Sequence, residues 1–235
     1  MLLTGGIIPR SQLNTEDIQC MYALMDQFYS HMRFDVFVKD LDRKDHCLLL
    51  RNESGDIVGF STQQILSVPV GGKQVCGVFS GDTIIHNAYW GSTELFRVFA
   101  QYYFEYAERY DEFYWFLISK GYKTYKILST FFLTFYPNGH HKTPLYEKAI
   151  MDAYGACLFP GEYNPVSGVV EYQGIKDALR PGVADIDNRA LRDPHVRFFA
   201  EANPGYAAGN DLVCLALMNR ENTRRSTRRF LGISQ

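Results

Sequence analysis

Paired cysteines are the first thing this sequence does without. Its 235 residues hold five cysteines, an odd number, and none stands in a CxxC arrangement. Cys20, Cys47, Cys76, Cys157 and Cys214 are scattered, which argues against a disulfide framework and for a reducing, cytoplasmic setting. Long apolar runs are missing too. The stretch 131–136 is far short of the roughly 18 apolar residues of a spanning helix and stops at Pro137, so membrane contact is expected only at the periphery. The opening MLLTGGIIPR has no basic region followed by an apolar segment, and no signal peptide is expected. Charge of one sign is lacking as well: a net −2 does not suit a general nucleic-acid binder. There is no G-x-S-x-G, no P-loop and no Rossmann glycine pattern. His140-His141 with Asp152 or Cys157 shows no ligand spacing, and adjacent side chains point apart, so no metal site is expected. Cys76 and Cys47 sit in apolar strands and read as core rather than as nucleophiles.

Aromatic residues are abundant. Tyr (16) and Phe (17) dominate a 15% aromatic content, enough for a Tyr/Phe-rich core with some rings left to line a groove for an apolar ligand. Hydrophobic residues make up 46%, which is ample for one domain with an extension.

The organising stretch is 75–99, VCGVFSGDTIIHNAYWGSTELFRVF. Val75, Val78, Phe79, Thr83, Ile84 and Ile85 are strand formers. Gly81 inside that run predicts a bulge or a close backbone approach. Residues 86–91 turn the chain, and Ser92 or Thr93 can cap a helix over 93–109. Free backbone N–H groups and a positive helix end then face one spot, which suits an anionic ligand.

Around this stretch the pattern gives a first strand at Ile7-Ile8 and an amphipathic helix after Asn14, with Ile18, Met21, Met25, Phe28 and Met32 at helical spacing. Residues 34–45 read as a short helix or a loop. Strands at 46–51, 57–68 and the central one follow as an antiparallel meander, with a turn at ESGD. FYWFLIS within 112–119 suits a strand buried on both faces, and 122–135 resumes helical spacing. Later signals are a helix at 144–157, a strand at 168–172, a helix opened by Asp193-Pro194 and a last buried strand at 211–218. The fold class expected from this order is α+β, with a mixed and mainly antiparallel sheet that has a parallel pair at its centre. Residues 1–138 form the expected core. Residues 139–235 complete the sheet and end in an extension with five arginines between 220 and 229.

This order of elements resembles the GNAT superfamily of N-acyltransferases, which implies three layers (α/β/α), a bulged and splayed central strand and an acyl-donor-binding core over residues 1–138. The stretch IIHNAYWGST lies where that family has a Q/R-x-x-G-x-G/A loop. Trp90 stands in place of Arg or Gln, Thr93 and Leu95 in place of two glycines, and Gly91 is shared with the loop's fuller form. A Trp there keeps a diphosphate from approaching the backbone as it does over glycine. The departure shifts the resemblance toward N-acyl amino acid synthases and related enzymes that take a long acyl chain from acyl carrier protein. The resemblance implies no tightly bound cofactor, an acyl-ACP (phosphopantetheine) or acyl-CoA co-substrate, and a small amine or amino acid as acceptor. Arg224, Arg225, Arg228 and Arg229 are then candidates for docking an acidic carrier protein, or else an exposed solubilising tail.

Acyl transfer from a thioester to an amine needs a base, a stabilised carbonyl oxygen and a protonated leaving thiolate. Asp82 and His86, four apart on the central strand and therefore expected on one face of it, are both candidates for the base. The resemblance puts Tyr136, with Tyr125 as a rival, in the place of the acid that protonates the thiolate. Ser119, at the end of FYWFLIS, is a candidate for bonding the pantetheine amides or the amine. Phe79, Ser80, Tyr89, Trp90, Gly91, Ser92 and Thr93 complete the expected donor site, with N–H groups near 78–80 polarising the carbonyl. Two alternatives stand beside this: an acetyltransferase using acetyl-CoA, and a non-catalytic module that binds an acylated ligand or partner.

Overall fold

In the computed structural model, which describes residues 2–231, an eight-stranded sheet lies between two layers of helices. The chain begins with β1 (Thr4–Pro9), α1 (Thr15–Phe28), the two-residue β2 (Tyr29–Ser30) and α2 (Phe34–Leu41). The meander is β3 (His46–Arg51), β4 (Ile57–Val70) and β5 (Lys73–Ile85). Then come α3 (Glu94–Ala107), β6 (Phe113–Ser119), α4 (Tyr122–Phe131), α5 (Leu145–Leu158), β7 (Tyr163–Asn164), β8 (Val169–Val170) and β9 (Ala178–Leu179). The chain closes with α6 (Pro194–Ala202), β10 (Asp211–Leu217) and α7 (Arg225–Phe230). The sheet order is β1-β3-β4-β5-β6-β10-β8-β7, with β2 and β9 paired apart from it. Every pairing in the large sheet is antiparallel except β5 with β6. The fold is therefore of the expected α+β class, with its parallel pair at the centre.

Local chemistry explains the helix starts. Asn14 Oδ1 accepts the Asp17 amide at 2.8 Å, and Asp193 Oδ1 accepts that of His195 at 2.9 Å with Pro194 in the first helical position. Side-chain alternation on β6 sorts the two layers. Phe113, Trp115 and Leu117 pack toward α3, α4 and α6, whereas Tyr114 and Phe116 pack toward α5. On that second face α1 and α2 cover Cys47, Leu49 and Phe60.

The helical spacing over 122–135 overreaches. α4 stops at Phe131, and Tyr136 exchanges both backbone hydrogen bonds with Leu215 at 2.8 and 2.7 Å. The two-residue β8 leaves most of that edge of β10 open, and the residue before Pro137 favours an extended backbone.

Gly77 marks a close approach of β5 to β6. A Cβ there would lie 2.5 Å from the Tyr114 carbonyl oxygen and 2.7 Å from the Tyr154 hydroxyl, which itself donates to the Val75 carbonyl at 2.9 Å. Backbone on one side and a bonded hydroxyl on the other leave nothing to give way. Gly77→Ala is expected to lower the unfolding free energy by about 2–3 kcal/mol in urea titration, and an unchanged midpoint would contradict the close approach.

Candidate active site

β5 and β6 run side by side from Cys76/Phe113 to Ser80/Leu117 and pair no further. On the other edge of β5, Ser61 faces Thr83 while Gln63 faces Ser80, so three steps along β5 match two along β4. Gly81 and Asp82 have no register partner on either neighbour, which defines a bulge. Glycine is required there because a Cβ would stand 2.8 Å from Thr62 Oγ1 and 3.0 Å from Lys44 Cε. A chain of side-chain hydrogen bonds fixes the irregularity. Trp115 Nε1 donates to Ser80 Oγ (2.8 Å), and Ser80 Oγ donates to Gln63 Oε1 (2.7 Å). Gln63 Nε2 donates to Ser61 Oγ (2.7 Å), which lies 2.7 Å from Thr83 Oγ1.

Beyond Ser80 the parted strands border a cavity of about 780 Å³. Residues 81–85 of β5 and Ile118 of β6 form its two sides. Phe37 and Asp40 of α2, the loop residues Trp90, Gly91, Ser92 and Thr93 and residues of α4 also line it. A strap at 172–184 adds Tyr172, Lys176, Asp177 and Leu179 to the wall. β9, within that strap, is held against β2 by strand pairing, and Arg180 donates to the Asp26 carbonyl.

Asp82 faces this cavity. None of the hydrogen bonds or ion pairs among the described residues involves its carboxylate, and its surface is partly open to the cavity while protein surrounds it. Burial, reinforced by the Asp40 carboxylate and only partly offset by Lys44, pushes its pKa up to about 6. Tyr29 lines the same space; burial and then the charges of Asp82, Asp211 and Asp177 raise its pKa, so it stays protonated. Asp177 goes the other way. Burial alone would raise it, but Lys120 and Lys176 hold it below the ordinary carboxylate value.

The expected site residues divide in two. Asp82, Phe79, Trp90, Gly91, Ser92 and Thr93 all line the cavity. His86 lies just past the end of β5, where its Nδ1 accepts the Ala88 amide at 3.3 Å and its ring meets Phe28 and Tyr89. Neither His86 nor Tyr89 is among the lining residues, so the shared face expected of Asp82 and His86 is absent. Ser80 is buried in the hydrogen-bond chain under the bulge. Ser119 is fully buried beside Cys214 rather than at the cavity wall. Tyr136 packs on the α5 side against β10, and Tyr125 donates to the Pro137 carbonyl at 2.9 Å inside the opposite core. Neither tyrosine reaches the cavity. Residues 78–80 are in register with both neighbouring strands, so the irregularity falls at 81–82 instead. Thr93 is the N-cap of α3 without a side-chain bond, while Ser92 Oγ accepts the Glu94 amide at 3.2 Å.

Sequence reading missed the charged floor of the cavity. Lys120 Nζ donates to Asp211 Oδ2 at 3.0 Å and to the Gly209 carbonyl at 2.7 Å, and Tyr172 donates to the same carboxylate oxygen at 3.0 Å. The signal was present: Lys120 directly follows one buried strand and Asp211 opens another, and such residues are buried only when paired. Among the described residues no group of three His, Cys, Asp or Glu side chains is arranged to hold a metal ion, and no helix is long and apolar enough to cross a membrane.

Fold and site together define a three-layer α+β protein with a slot between two parting parallel strands and an unpaired carboxylate at the bulge beside it. No family model matches the chain, and no curated protein does. Among solved structures, a probable N-acyltransferase from Enterococcus faecalis is similar over 56% of this chain and 33% of its own, at 14% identity and a TM-score of 0.42. The chain thus spans about a third of that protein's length. A GNAT family N-acetyltransferase from Escherichia coli in complex with CoA is similar over 56% of this chain and 70% of its own, at 15% identity and a TM-score of 0.39. An aminoglycoside 6'-N-acetyltransferase from Acinetobacter baumannii is similar over 54% of this chain and 88% of its own, at 13% identity and a TM-score of 0.41.

Proposed function

We propose that this protein is an N-acyltransferase that moves an acyl group, of fatty type, from a carrier-bound or coenzyme A thioester to a small amine or amino acid. The observation that carries the reading is the parting of β5 and β6 at Ser80/Leu117 beside the unpaired Asp82 carboxylate. An extended thioester arm enters the slot and presents its carbonyl at the bulge. The amine nitrogen attacks the carbonyl carbon, and in this reading backbone N–H groups of the Gly81–Asp82 bulge bond the developing oxyanion. Asp82 takes the proton from the attacking nitrogen. When the C–S bond breaks, the same carboxyl group returns that proton to the sulfur. With its pKa near 6 against about 8.5 for a thiol, the transfer runs downhill and needs no tyrosine.

Two features favour a fatty acyl group on a carrier protein. The cavity wall is largely apolar, with Met32, Val36, Ile118, Ile127, Phe159 and Val183 in it. Arg224, Arg225 and Arg228 surround the half-exposed Leu133 in a surface hollow next to Phe131, and Phe131 lines the main cavity. That hollow suits an acidic carrier protein. In this reading residues 1–138 hold the donor, and 139–235 complete the sheet and supply the strap and the docking arginines.

The test is incubation with acyl carrier protein and coenzyme A thioesters of graded chain length over a panel of amines, followed by mass spectrometry. N-acylated product, most abundant from long-chain carrier thioesters, is the expected result. Donor binding with no product from any pair would leave a ligand-binding module in place of an enzyme.

A further inference from the structure

Charges that line the cavity come in pairs, with two exceptions. Arg33 is bridged to Asp35 (2.7 Å), Lys44 to Asp40 (2.8 Å), Lys120 to Asp211 (3.0 Å), Lys126 to Asp193 (2.6 Å) and Lys176 to Asp177 (2.5 Å). Among the described residues, Asp82 and Lys123 are the charged lining groups with no ion pair within 4.0 Å.

Lys123 lies in the first turn of α4, after β6, and Trp90 lies in the loop after β5. The Lys123 ammonium sits 3.5 Å from the centre of the Trp90 indole ring and donates to the Val183 carbonyl at 2.5 Å. The indole is fixed in turn by its Nε1, which donates to the Ile85 carbonyl at 2.9 Å. One contact therefore bridges the two strands' ends where the slot opens and ties the strap to them. An aromatic face is a weaker partner for an ammonium than a phosphate oxygen is.

We propose that Lys123 is the binding residue for one phosphate ester on the arm of the acyl donor, with Trp90 holding the ammonium in position until the arm enters. The inference rests on the reading of the slot as the donor channel. One free cation matches the single phosphodiester of a carrier-bound phosphopantetheine arm. Among the described residues, the further phosphates of coenzyme A find no other lysine or arginine of the cavity wall without an ion pair.

Tryptophan emission reports this directly, because the chain has two tryptophans and Trp115 is buried in the core. The protein is titrated with pantetheine, with 4'-phosphopantetheine and with coenzyme A. 4'-Phosphopantetheine is expected to change the emission and to bind about tenfold more tightly than pantetheine, with coenzyme A no tighter than 4'-phosphopantetheine. Lys123→Met should bind 4'-phosphopantetheine and pantetheine alike, Lys123→Arg should keep the preference, and Trp90→Phe, followed by calorimetry, should keep the preference while losing the emission change. A preference that survives in Lys123→Met, or no binding of 4'-phosphopantetheine at millimolar concentration, would overturn the assignment. These are binding measurements, so the two readings fail separately. Acylated product without a phosphate preference removes the role of Lys123 alone, and a phosphate preference without product removes acyl transfer alone.

Discussion

Replacing Asp82 by asparagine is expected to lower kcat/KM for acyl transfer by about 10²–10⁴-fold with the fold intact. The carboxylate makes no hydrogen bond whose loss would disturb the bulge, and the amide has nearly the same shape. The wild-type rate should rise with pH as the carboxylate ionises through a midpoint of about 6. Between pH 5 and pH 7 that gives about a tenfold gain, and the limb should be missing from Asp82→Asn. A variant that keeps the full rate would remove Asp82 as the base. Transfer by positioning alone would then be what remains of the mechanism.

Stability should move the opposite way. The Asp82 pKa lies near 6 in the folded chain against an ordinary 3.8, so the folded state binds this proton more tightly than the unfolded state does. Stability therefore falls as pH rises from about 4 to about 6, and above that window the charge costs at most about 3 kcal/mol. Asp82→Asn removes the cost. Its melting temperature should exceed that of the wild type at pH 7, with the difference closing near pH 4. Gain of stability with loss of activity is the signature of a group kept for chemistry rather than for folding.

Asp82 was legible in the sequence because a strand with an interior glycine has few reasons to exist. Gly81 inside VFSGDTII signals an irregularity, and the residue after it inherits the exposed position. Element order was legible for a similar reason: turns, caps and periodicity are local. Asn14 and Asp193 cap the helices they announce. What escaped was set by distant pairing. Tyr136 has helical spacing behind it, yet an open edge of β10, about 80 residues further on, draws it out as an extended segment. His86 has the right chemistry and the wrong place, because β5 ends at Ile85 and the ring is used to cap the next turn. Lys123 and the strap at 172–184 carry no motif. Their place in the site follows from β2 pairing with β9, which joins positions nearly 150 residues apart.

The second large effect concerns the floor of the cavity. Lys120→Met is expected to lower the unfolding free energy by about 3–5 kcal/mol, since it leaves the Asp211 carboxylate, 2% exposed, without its cation. The Tyr172 hydroxyl still donates to Asp211 but supplies no charge. If charge compensation is the cause, Asp211→Asn in the same chain should recover most of the loss in a thermal melt. A double variant as unstable as the sum of the single ones would show that Lys120 acts through packing instead. The lysine also reaches past its own ion pair. It lies 3.6 Å from Asp177, whose charge in turn raises the Asp82 pKa. Without Lys120, the Asp177 charge that acts on Asp82 has one cation fewer beside it. The midpoint of the pH–rate limb should then move upward from about 6 in whatever fraction of Lys120→Met remains folded. Burial and Asp40 thus raise the proton affinity of Asp82, and the Asp177 charge, which Lys120 and Lys176 hold ionised, adds to it.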